Sequence, residues 1–104
     1  MSKARRGEIW LADLGLAAKT RPVLVLSVPY QAGERALVTF VVRTTQARGT
    51  PYEVVHQSPG MLDGVFDAQG LGTIPEAKLE RRLGAVNQAT LARVEDAVRA
   101  WLHL

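Results

Sequence analysis

The stretch Lys19-Thr20-Arg21-Pro22-Val23-Leu24-Val25-Leu26-Ser27 is a polar loop that runs through an arginine-proline step into an apolar strand. Val23 to Leu26 are apolar on both alternations of a period-two pattern, which predicts a strand buried on both faces. Pro22 lacks an N–H and has a fixed φ, so it suits the first residue of that strand. It also pushes Arg21 towards an extended backbone. A permanent cation is therefore held at the mouth of a buried strand. Taken alone, such an arginine reads as an ordinary solvated charge. The rest of the chain gives it a second reading.

The chain has 104 residues, 47% hydrophobic and 22% charged, the size and composition of one small globular domain spanning residues 1–104. It has no cysteine, which excludes disulfides and thiolate metal sites. No apolar run approaches the roughly 20 residues of a membrane span. Met1-Ser2-Lys3-Ala4-Arg5-Arg6 is basic but leads into Gly7-Glu8 rather than an apolar segment, so it does not read as a secretory signal. A cytoplasmic location is expected, with no membrane partner. The net charge of +3 permits a polyanionic partner without demanding one.

Outward from the opening stretch, the chain reads as short strands. Gly7 to Asp13 alternates Ile9 and Leu11 against Glu8, Trp10 and Ala12. Trp10 is either a packing residue or a ligand-facing one, and packing is the preferred reading. Leu14 to Thr20 is a loop, and Val28 to Arg35 a helical turn or open loop. Ala36 to Arg43 is a central strand and Tyr52 to His56 a fourth. The Arg48-Gly49 turn between them predicts antiparallel neighbours. Val65-Phe66-Asp67-Ala68 and Gly70 to Ile74 read as two more short strands, with Asp63 and Asp67 as turn residues. Pro75 to Leu79 is a helical turn with proline at its first position, and Arg81 to Val86 the last strand. Asn87 reads as an N-cap for a helix whose apolar stripe is Leu91, Val94, Val98, Trp101 and Leu102, with Glu95 and Arg99 paired on its exposed side. The stripe is core or interface. Many short strands and one terminal helix predict a mainly β fold, a small barrel or sandwich with a C-terminal α-helix.

The chemistry that is missing narrows the function. There is no phosphate-binding glycine motif, no HExxH and no Gly-x-Ser-x-Gly. His56 and His103 have no partner pattern, so no metal site is expected. An enzyme built from this chain would use Arg, Thr, Ser, His or scattered carboxylates, without a cofactor.

Two segments resemble a known family. Arg6-Gly7-Glu8-Ile9-Trp10-Leu11-Ala12-Asp13-Leu14 followed by Arg21-Pro22-Val23-Leu24-Val25-Leu26-Ser27 is similar to the opening of MazF/PemK toxins of type II toxin–antitoxin systems. Val41-Val42-Arg43-Thr44-Thr45, Thr50-Pro51-Tyr52-Glu53-Val54, the stretch from Thr73-Ile74 to Leu79 and the helix from Asn87 continue the likeness along nearly the whole chain. The resemblance implies an SH3-like barrel with a C-terminal helix, a homodimer, a cognate antitoxin, and a metal-independent endoribonuclease acting on single-stranded RNA. It also implies that Arg21 and Thr44 are catalytic. The loop Gly15-Leu16-Ala17-Ala18-Lys19-Thr20 departs from the family's longer loop and lacks the carboxylate proposed there to assist catalysis. Gly70-Leu71-Gly72-Thr73 puts Gly72 where family members often have arginine.

Physical chemistry agrees with this assignment. Cleaving RNA through its 2′-hydroxyl, to a 2′,3′-cyclic phosphate and a 5′-hydroxyl, builds negative charge on phosphorus. A guanidinium offers two parallel donors that match phosphate oxygens, and a neighbouring hydroxyl adds a third. Arginine is a poor base, since its pKa exceeds about 12. His56 is the candidate base, because imidazole titrates near neutrality. Lys19, Thr20, Arg43, Thr45 and Arg48 are the candidate RNA contacts. Two alternatives stay open: a non-catalytic gyrase poison of the CcdB type, acting through Trp101-Leu102-His103-Leu104, and an SH3-like nucleic-acid or protein-binding module with Arg5, Arg6, Arg43 and Arg48 as its phosphate patch.

Overall fold

The computed structural model describes residues 2–15, 17 and 19–104. Part of the loop expected from Leu14 to Thr20 therefore lies outside the described residues, as does Met1. Among the described residues there are six strands: β1 (Glu8–Asp13), β2 (Thr20–Val25), β3 (Leu37–Thr44), β4 (Glu53–His56), β5 (Gly64–Pro75) and β6 (Leu79–Ala85), followed by helix α1 (Gln88–Leu102). They form one antiparallel sheet in the order β4-β5-β3-β2-β1-β6. The outline is barrel-like, although no pairing joins the two edge strands β4 and β6 among the described residues.

β2 is buried on both faces, as its apolar run predicts. Val23 and Val25 join Trp10, Ala12, Val38, Phe40 and Leu79 in one cluster. Leu24 joins Ile9, Val41, Val54, Phe66 and the helix residues Val94 and Ala97 in the other. The second face is thus covered by α1. The first is closed by the N-terminal segment through Ala4. The buried Glu76 carboxylate fastens that segment, accepting from Ser2 Oγ at 2.7 Å and Lys3 N at 3.0 Å. Trp10 is a packing residue, with its indole N–H on Glu8 at 3.0 Å.

Four readings need correction. β3 and β4 are not neighbours, because β5 runs between them and pairs with both. A 12-residue strand offers ladder on both edges over more length than the short β4 could supply to β3. The two strands expected at 65–68 and 70–74 are this single β5, interrupted by a bulge: Val42 faces Asp67 and Val41 faces Leu71, so residues 68–70 are extra. A Cβ on Gly70 would lie 2.3 Å from Val42 Cγ2, which is why glycine sits in the bulge. Glu95 and Arg99 do not pair with each other. Glu95 is ion-paired with Arg6, and Arg99 with Asp96 at 3.0 Å. The 3₁₀ turn at Glu76–Lys78 follows Pro75, and the last strand starts at Leu79 rather than Arg81. Asn87 caps α1 as expected, its side chain accepting from Thr90 N at 2.8 Å.

Because Leu24 is fully buried between the sheet and α1, Leu24→Ala is expected to destabilise the protein by about 2–5 kcal/mol. The shift of the urea midpoint, at unchanged slope, checks this.

Candidate active site

The register of β2 against β3 builds the site. Val25, Leu24 and Val23 face Phe40, Val41 and Val42 in turn. Continued past Pro22, the same register brings Arg21 level with Thr44, and residues opposite one another across a ladder point to the same face. Arg21, Pro22, Arg43, Thr44, Thr45 and Gln46 line one cavity of about 270 Å³. Arg21, Thr44 and Gln46 also line an adjoining one of about 300 Å³ with Arg48 and Asp67. Thr44 Oγ1 accepts from Gln46 N at 3.1 Å, which leaves the hydroxyl proton to be donated elsewhere.

Lys19 and Thr20 are exposed on the strand-entry side and belong to neither cavity lining. Lys19 has φ +55, a left-handed turn fixed by Lys19 N on Gly15 O at 2.7 Å and Leu14 N on Lys19 O at 2.8 Å. This turn aims the chain into Thr20 and Arg21.

Arg48 is presented by a loop that Glu53 holds in place. The Glu53 carboxylate accepts from the amides of Arg48 at 2.9 Å, Gly49 at 2.8 Å and Thr50 at 3.2 Å. The Arg48 amide foremost, with the other amides and the Arg48 charge outweighing a small cost of burial, holds the Glu53 carboxyl below its ordinary range. Three successive amides gathered on one carboxylate fix a segment with few other backbone bonds.

Arg43 and His56 sit differently from their sequence reading. Parity puts Arg43 on the helix-side face of β3 with Val41, opposite to Thr44. It is only 4% exposed. Its Nε donates to His56 Nδ1 at 2.9 Å, and its Nη2 to the carbonyls of His56 at 3.1 Å and Leu62 at 2.6 Å. The guanidinium crosses Gly64, where a Cβ would lie 2.9 Å from Nη1 and 2.7 Å from Thr44 O. His56 in turn packs against Phe66 with ring centroids 4.7 Å apart. Arg43 reaches the cavity wall, but its donors clasp the β4–β5 connection to the end of β3 beside Thr44. The His56 imidazole is engaged in that clasp. Burial first, and the Arg43 charge second, push its pKa below the ordinary value. The sequence reading missed three residues of this region: Gln46 and Asp67 on the cavity walls, and Gly64 beneath Arg43. Only the glycine and the alternation of Val65 to Ala68 hinted at them. Among the described residues, no three His, Asp or Glu side chains converge as a metal site.

One antiparallel sheet with a covering helix, and a cleft lined by an arginine and a threonine at the ends of paired strands, define a class of small, mainly β proteins. The chain belongs to the PemK-like, MazF-like toxins of type II toxin–antitoxin systems, whose family model matches residues 5–102. It is 31% identical over 104 residues to endoribonuclease MazF1 of Mycobacterium bovis and to endoribonuclease MazF4 of Mycobacterium tuberculosis, covering 100% of this chain and 97% of each relative. Among solved structures it is similar to a mycobacterial endoribonuclease in complex with its cognate antitoxin, with a TM-score of 0.83 and 29% identity over 97% of this chain and 96% of that one. A second mycobacterial endoribonuclease matches with a TM-score of 0.82 and 28% identity over 100% of this chain and 95% of that one.

The buried, uncharged His56 makes the clasp sensitive to acid. In the unfolded chain the imidazole titrates at its ordinary pKa, about 6.5, and in the fold it titrates lower. Between those two values the unfolded chain binds more protons, so stability is complete above about pH 6.5 and falls as the pH drops through that window. Urea midpoints followed from about pH 8 down to about pH 5 should show this loss in the wild type and a flatter profile in His56→Gln.

Proposed function

We propose that this chain is the toxin of a type II toxin–antitoxin pair and cleaves single-stranded RNA, with Arg21 and Thr44 as its catalytic residues. The observation that carries the reading is their convergence on one cavity from two strands whose register is fixed by the core. The substrate phosphodiester lies across this cavity. Arg21 gives parallel N–H donors to the non-bridging oxygens, and the Thr44 hydroxyl, oriented by the Gln46 amide, gives another. Attack by the 2′-oxygen forms the 2′-O–P bond and breaks the P–O5′ bond. The products are a 2′,3′-cyclic phosphate and a 5′-hydroxyl. The donors stabilise the charge that develops on the equatorial oxygens between these states. Neither residue supplies a metal ligand, and the reaction proceeds without a metal.

Thr45 and Arg48 line the walls beside the reacting group, while Lys19 and Thr20 lead towards it and contact the flanking nucleotides. Arg43 positions Thr44 through the clasp on His56 and Leu62. The cognate antitoxin silences the enzyme by covering this cleft, as suits a cationic groove and a partner of the kind named for the mycobacterial relative. The functional unit is a homodimer. A groove of about 350 Å³, in which Leu26, Leu71, Val98, Leu102 and Leu104 stand beside the charged Arg6, Glu95 and Arg99, supports a second copy there. It takes up the C-terminal end that a gyrase poison would use, and Trp101 in that end is already packed against Tyr52 at 5.2 Å.

Purified protein incubated with a long single-stranded RNA in EDTA is expected to cut it and leave cyclic phosphate ends. Arg21→Ala and Thr44→Val should each slow cutting by a factor of about 10²–10³. Cutting by Arg21→Ala at the wild-type rate overturns the site. Intact RNA after long incubation, with salt-dependent binding, would instead favour a binding module.

A further inference from the structure

We propose that Asp67 is the general base of this cleavage and accepts the 2′-hydroxyl proton; the assignment rests on the endoribonuclease reading above. Four observations converge on it. Asp67 lines the same cavity as Arg21, Thr44 and Arg48. It faces Val42 in the β3–β5 ladder, and Val42 faces Val23 across β2, so these three residues share a face. Arg21 and Thr44, two residues along from Val23 and Val42, lie on that face as well. Asp67 is therefore a diagonal neighbour of Thr44, a relation whose typical residue-to-residue separation is about 7–8 Å. That gap admits a ribose 2′-hydroxyl on one side and its 3′-phosphate on the other. Finally, the β5 bulge begins immediately after Asp67, and bulges re-aim side chains. Here Asp67 Oδ1 accepts from Gln69 N at 2.9 Å, and Gly70 lets the bulge close on Val42, which together fix the carboxylate's direction.

The other candidate is disposed of by geometry. His56 is buried behind β5, and its Nδ1 accepts from Arg43. A base must come within hydrogen-bond reach of the proton it takes. The charged groups that face Asp67 are Glu53, directly opposite it on β4, and Arg21 and Arg48 across the cavity. Glu53 is committed to the amides of residues 48–50, so it does not compete for the same proton.

The step balances. The 2′-O–H proton passes to the Asp67 carboxylate as the 2′-oxygen bonds phosphorus. The P–O5′ pair leaves with the 5′-oxygen, which takes a proton from water. A second proton transfer from the Asp67 carboxyl to solvent restores the base.

Asp67→Asn is the decisive variant, because an amide oxygen can keep the bond to Gln69 N while losing basicity. Single-turnover cleavage of a short RNA is expected to slow by a factor of about 10²–10⁴. Binding of the all-2′-deoxy analogue should not weaken, which a collapsed bulge would not allow. The defect should persist on a substrate whose 5′-oxygen is replaced by sulfur, since that leaving group needs no proton. Its disappearance there would make Asp67 an acid and overturn the proposal, as would a wild-type rate in Asp67→Asn. Should that variant not fold, Asp67→Ser retains an acceptor for the turn and is read in the same way. A wild-type protein that cuts no RNA overturns the endoribonuclease reading itself, and a cutting wild type with an unaffected Asp67 variant overturns only the base.

Discussion

Everything at the cleft depends on the double burial of β2. A strand packed on one face can slip by two residues and keep its pattern. One packed on both faces must satisfy two cores at once. Val23 and Val25 lock into the cluster of Trp10 and Phe40, while Leu24 locks into the cluster under α1. The register against β3 is thereby fixed, and the polar residues beyond the apolar run have no freedom in where they emerge. Arg21 and Thr44 meet because the valines behind them cannot move. The site is a consequence of the core rather than an addition to it.

Around this fixed pair, polar residues hold the segments that lack ladder of their own. Arg43 ties the β4–β5 connection to β3 through His56 and Leu62. Glu53 gathers the loop after β3 by its amides. Glu76 fastens the N-terminal segment over the first core face. In each case one charged side chain satisfies several backbone or side-chain groups that would otherwise be costly to leave in a thin protein interior. A chain of 104 residues has little apolar volume to order such loops. Charged hydrogen bonds do it with three residues.

Family membership and geometry carry different parts of the functional account. The match over residues 5–102 establishes the toxin family. The cavity describes what this member can do with its own side chains. It brings Asp67 and Gln46 to the cleft walls. Gly72 has a structural reason here: a Cβ would lie 2.9 Å from the Phe40 ring, so a side chain at that position would displace the core.

Local rules read well from the chain itself. The apolar parity of β2, the Asn87 cap, the proline-led turn before Leu79 and the helix stripe are short-range properties, and the structure contains each. The Arg21 and Thr44 candidates came from the family resemblance, and each stands at the end of a strand that alternation alone makes legible. Strand order was not legible. Alternation assigns a residue to one of two faces but is silent on which distant strand lies beside it. The insertion of β5 between β3 and β4 is settled by packing of Phe66 and Val54 against α1, a non-local matter. That one event gave the inward-facing Arg43 its partners His56 and Leu62, made two expected strands into one bulged strand, and brought Asp67 to the cleft. Sequence determined the elements and where each polar strand end begins. Tertiary structure alone decided their neighbours, because pairing between remote segments is fixed only when both cores close together.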